Sequence, residues 1–162
     1  MSSSSANETR EINRELAVSN VNRAASLVGT SLAIFTFVLF FLYPRYITSQ
    51  IDSTLFQIVL TDILLTIFMF GFSGLYYYTV ISSPTLGRNS IKEQNNLLHR
   101  AEVFFILGLL LGVLEPALIL FTVGLTVPAV IASLLWIIFI LAMSRQRGNR
   151  ETIGQKETFA PK

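Results

Sequence analysis

Two acids in this 162-residue chain lie inside otherwise apolar runs, and their placement invites chemistry: Glu115 and Asp62. Glu115 sits thirteen residues after Glu102, the charged residue at the start of its run. At 1.5 Å per helical residue that is roughly 20 Å, a little past the middle of a hydrocarbon layer roughly 30 Å thick. A carboxylate at such depth is costly, so it is expected to face the interior of a helix bundle or a wet cavity. Gly108, Gly112, Glu115 and Ile119 share one helical face, and Gly108 with Gly112 forms a G-x-x-x-G pair that lets another helix approach closely. Pro116 removes the hydrogen bond to the carbonyl of Gly112, which predicts a kink beside the acid and a free carbonyl on the same face. A neutral Glu115 would donate to that carbonyl or to a neighbouring helix and act as interhelical glue. An ionised one would bind a cation or exchange a proton. Glue is the simpler of the two expectations.

Asp62 follows Thr61 near the start of the second apolar run. Counted from Leu55 it lies roughly 10 Å into that helix. Residues 63–82 alone suffice to span, so placing Asp62 at the headgroups is the simpler expectation. If both acids instead face inward, they would share a proton or a cation, since like charges so placed do not both ionise. Thr66, one turn along the same face, would add an oxygen ligand. Little else in the chain carries chemistry. There is no cysteine, which removes disulfides, thiolate metal sites and cysteine nucleophiles. The one histidine, His99, stands beside Arg100 without a second imidazole, so no metal site is expected. No nucleophile elbow, zinc motif or phosphate-binding loop occurs, so neither enzymatic activity nor a cofactor is expected. Tyr76, Tyr77 and Tyr78 read as an interfacial aromatic belt.

The elements that must position these residues are four apolar runs, at 24–43, 55–82, 103–123 and 125–143. A composition of 52% hydrophobic and 14% charged residues is too apolar for an ordinary soluble domain. Each run reaches the roughly 20 residues that a transmembrane helix needs. The expected fold is an all-α membrane protein, an up-down-up-down bundle of four transmembrane helices. Of the twelve Lys and Arg, only Arg45 falls in the 44–54 loop and none in the loop after 123. That asymmetry predicts cytoplasmic N and C termini. It also accounts for the basic balance, so nucleic acid is not an expected partner.

Residues 1–23 form a polar N-terminal segment, helical from about Glu8. Ile12, Leu16 and Ala17 give it one apolar face, which suits either an amphipathic helix at the interface or an extension of helix 1. Ala25, Gly29 and Ala33 recur every four residues on helix 1 and predict a close-packing face. Pro44, between Tyr43 and Arg45, is expected to stop that helix. Ser90 and Glu93 make a capping box that predicts a helix over 91–102 running into helix 3. Gly124, Leu125 and Thr126 predict a tight hairpin between helices 3 and 4, with Pro128 in the first turn of the latter. Trp136 falls mid-span, where its indole N–H requires an acceptor, and marks a helix contact. Residues 144–162 read as a disordered cytoplasmic tail.

Short outer loops, the lack of a soluble domain and few intramembrane polar groups predict a structural or accessory subunit of an assembly in the cell membrane. Its expected surroundings are the lipid bilayer and either other membrane subunits or further copies of itself. The alternative is an oligomeric small transporter or channel that uses Glu115 and Asp62 for proton or cation movement.

Overall fold

The computed structural model describes residues 3–82 and 91–158, and these are helical almost throughout. The helices are α1 (Ser3–Ile47), α2 (Ser53–Ser82), α3 (Ile91–Thr122) and α4 (Thr126–Thr158). Four segments of them are long and apolar enough to cross a membrane: Glu11–Ile47, Ser53–Ser82, Lys92–Thr122 and Thr126–Arg145. Their large side chains point outward, as in Phe40 at 75% exposure and Val127 at 70%, which suits hydrocarbon rather than water.

The ends of the helices follow local chemistry. Asp52 caps α2, its Oδ1 accepting the backbone N–H of Leu55 at 2.8 Å. Gly124 ends α3 at φ +82°, a conformation that glycine adopts without strain. The N–H of Leu125 reaches the Leu120 carbonyl at 2.9 Å and that of Gly124 reaches Phe121 at 3.0 Å, the paired bonds of a Schellman motif. Pro128 then falls in the first turn of α4. Ser90 and Pro84 lie outside the described residues, while 91–102 is indeed the first part of α3.

Two boundaries differ from the sequence reading, and one open choice is decided. α1 is one 45-residue helix, so residues 8–23 extend helix 1 rather than forming a separate interfacial helix. No glycine or proline interrupts the chain before Gly29. Pro44 lies inside α1 rather than ending it, because losing one bond to Phe40 leaves the last turn intact; the break comes at Ser49, with φ 56°. α4 continues past 143 to Thr158, so the described part of the expected disordered tail is helix.

Packing follows a seven-residue period. α2 is central and buries Phe56, Val59, Ile63, Thr66, Phe70, Ser73, Tyr77 and Val80, alternating steps of three and four. α1 presents Ala17, Ala24, Ser31 and Val38 to it, and α3 presents Ala101, Gly108, Glu115 and Thr122, each at steps of seven. This is the spacing of left-handed helix packing, where knobs of one helix fill holes of the next. Ala17, Tyr77, Val80 and Ala101 close one end of the seam, and Val38, Leu42, Phe56, Val59 and Ile63 close the other. The bundle is open rather than closed. α1 touches α3 only sparingly, and α4 packs against α3 alone.

Candidate functional site

Midway along the seam, between the two apolar clusters, lies one polar layer. α2 contributes Asp62 and Thr66, and α3 contributes Glu115, with exposures of 8%, 0% and 2%. Asp62 is buried against the neighbouring helices. The α2 cap sits at Asp52, so helical rise carries residue 62 about 15 Å along the helix from its start. Glu115 occupies a seam position of α3, which turns its carboxyl toward α2. There it interacts with Thr66 and is close enough to Asp62 for their charges to repel.

None of these groups is satisfied. Asp62 Oδ2, Thr66 Oγ1 and Glu115 Oε1 are buried without a hydrogen-bond partner, the Thr66 hydroxyl facing the Glu115 carboxyl without reaching hydrogen-bonding geometry. Among the described residues only one other buried side-chain oxygen is in this state, Gln94 Oε1 at the start of α3. An unsatisfied buried polar group costs about 1–3 kcal/mol, so three in one layer call for a physical reason.

Thr66 is the most informative of the three. A threonine in a membrane helix ordinarily returns its hydroxyl to the carbonyl four residues back. Thr30 does so to Ser26 at 3.1 Å, Thr36 to Leu32 at 2.8 Å, Thr61 to Gln57 at 2.8 Å, Thr79 to Leu75 at 2.8 Å and Thr122 to Leu118 at 2.9 Å. Thr66 does not. Its methyl turns toward α3, where a Cβ added to Gly112 would meet Thr66 Cγ2 at 3.5 Å. Gly112 is the residue whose carbonyl has no helical donor, since position 116 is proline.

Three recesses surround the layer. Glu115 walls a partly open cavity of about 180 Å³ shared with Ser31, Phe70 and Gly112. It also borders an open apolar groove of about 570 Å³ between α1 and α3, with Thr30, Ala33, Phe37 and Pro116. Asp62 lies at the foot of a third recess, of about 390 Å³, along α2, where Thr54, Gln57 and Thr61 lead down from the helix start. Toward the other end of the seam the way is shut. The Phe70 ring lies flat on Gly108, whose missing side chain makes the room: a Cβ there would stand 2.8 Å from the ring.

The remaining candidates distribute differently. Gly108 and Gly112 both face α2. Trp136 donates its indole N–H to the Leu110 carbonyl at 2.8 Å, tying α4 to α3. Ala25, Gly29 and Ala33, by contrast, are exposed and do not pack within the chain; a Cβ on Gly29 would meet nothing within 4 Å. The face that packs is one residue away, at Ala24, which lies 3.6 Å from a Cβ built on Gly74. His99 is exposed, and no group of three or more His, Cys, Asp or Glu gathers among the described residues. Sequence reasoning missed Ser31, Phe70 and Ser73, which line or flank the layer. The signal was present in the steps of seven that link Ala17, Ala24, Ser31 and Val38.

No protein-family model, characterised protein or solved structure matches the chain.

Proposed function

We propose that this protein is a non-enzymatic, structural or accessory subunit of a larger assembly in the cell membrane, with both termini cytoplasmic. One observation carries the reading. Ala25, Gly29 and Ala33 make a smooth, exposed stripe on α1, and Ala33 also lines the open α1–α3 groove. Small residues at such spacing let helix backbones approach in lipid, where packing rather than hydrophobic exclusion drives association. Among the described residues the chain spends no helix of its own on this stripe, and α4 packs on α3. The basic flanks set the orientation by the positive-inside rule.

Native mass spectrometry of the protein gently extracted from its own membrane tests this. Co-extraction with different subunits in fixed ratio is the expected result, lost when Gly29→Leu fills the stripe. A pure monomer that Gly29→Leu leaves unchanged would remove the reading.

The buried Asp62–Thr66–Glu115 layer favours a second reading, an oligomeric transporter or channel for protons or cations. Against it, the polar groups occupy a single layer, sealed at one side by Phe70 on Gly108. Proton and cation flux into liposomes, compared between the natural chain and Glu115→Gln, separates the two.

A further inference from the structure

The geometry points to a binding site for one dehydrated Na⁺ in the Asp62–Thr66–Glu115 layer. It depends on neither functional reading, since a bound ion suits a structural subunit as well as a conduit. Three buried side-chain oxygens from three residues lack any partner there: Asp62 Oδ2, Thr66 Oγ1 and Glu115 Oε1. All three residues are more than nine-tenths buried. The Thr66 hydroxyl is the independent witness. Other threonines of the spans satisfy themselves on their own helix, and Thr66 gives up that bond to face Glu115. Gly112 lies against the Thr66 methyl, leaving that side of the layer without a competing side chain.

The donor set selects the ion. Oxygen-only sites suit hard cations, whereas soft metals prefer nitrogen or sulfur. Three ligand groups fall short of the six to eight oxygens that Ca²⁺ takes and of the near-ideal octahedron that Mg²⁺ demands. A monovalent ion remains. Charge agrees: α1 brings only Thr30 and Ser31 to the layer, α2 brings Asp62 and Thr66, and α3 brings Glu115, so no Lys, Arg or His lines these recesses. With one carboxyl protonated and the other ionised, a single Na⁺ makes the layer neutral. The recess along Thr54, Gln57 and Thr61 gives the ion a polar way in to Asp62.

The test uses the full chain in detergent micelles, with NaCl, KCl or choline chloride at equal ionic strength. Two quantities are read: the unfolding temperature, and the rate at which a hydrophobic carbodiimide labels Glu115, followed by peptide mass spectrometry. Na⁺ is expected to raise the unfolding temperature by about 4 °C or more, and at about ten times its Kd to slow labelling about tenfold, with choline doing neither. Thr66→Val should abolish both Na⁺ effects, while Thr36→Val, whose hydroxyl is already bonded to its own helix away from the layer, should keep them. Labelling that follows pH alone, with no response to Na⁺, would show a proton site and overturn the proposal. So would a Na⁺ response that survives in Thr66→Val. Neither result touches the subunit ratio seen by native mass spectrometry, so this inference and the functional readings fail separately.

Discussion

Ser73 and Thr66 sit two turns apart on α2, in the same seam position, each fully buried against α3. Their fates differ. Ser73 donates its hydroxyl to the Ala101 carbonyl at 2.9 Å, stitching two helices together. Thr66 makes no such bond and instead faces the Glu115 carboxyl. Around Ser73 the seam is built of tight, satisfied contacts, with Phe70 on Gly108, Ala24 near Gly74, and Tyr77 against Ala17 and Ala101. Around Thr66 it holds two acids and three recesses. A helix seam thus uses the same period for two purposes: one hydroxyl is spent on cohesion, and the other is held in reserve.

The largest effect that would break this contrast comes from the tight half. Gly108→Leu drives a side chain into the Phe70 ring and is expected to destabilise the protein by about 3 kcal/mol; Gly112→Ala makes only ordinary contact with Thr66 and should change stability by less than about 0.5 kcal/mol. Reversible unfolding in mixed micelles reads both, and equal effects would erase the difference between the two halves. Ser73→Ala removes the bond to Ala101 and should cost about 0.6–1.7 kcal/mol in the same assay. Trp136→Phe, which frees α4 from the Leu110 carbonyl, is expected to cost about 0.6 kcal/mol and to speed amide exchange in α4 without altering exchange in α2. The smallest expected effect is the most telling. In Na⁺-free buffer Thr66→Val deletes an oxygen that bonds to nothing, so stability should hold or rise by up to about 1 kcal/mol. A loss as large as that of Ser73→Ala would mean the two hydroxyls are alike.

The four spans were legible because a crossing helix needs length and apolarity, and both are written locally in the chain. The inward turn of Glu115 was legible because a carboxylate in an apolar run is costly outside a bundle, and it is buried. Asp62 was harder. Its burial depends on which face of α2 meets its neighbours, and hydropathy does not show that. On α1 the face that packs within the chain lies one residue from the small-residue stripe. Small residues every four, as in Ala25, Gly29 and Ala33, mark a surface that any helix could use, whereas the neighbour chosen inside the chain follows a period of seven through Ala24. That period becomes visible only when the three helices are compared, because Phe56-to-Val80, Ala17-to-Val38 and Ala101-to-Thr122 repeat it together. The openness of the bundle was not legible at all, since apolar faces toward lipid and toward protein look alike in sequence.

The unbroken α1 has a mechanical consequence. At 1.5 Å per residue its 45 residues form a rod about 68 Å long, more than twice the thickness of the hydrocarbon. Near one end Asn13 bonds to Asn95 of α3 at 3.2 Å, and some 18 residues further along, Ser31 stands at the cavity wall beside Glu115. No proline interrupts the helix between them, and the one glycine there, Gly29, lies two residues from Ser31, so a tilt imposed at the Asn13 end is carried along the rod toward the buried acid.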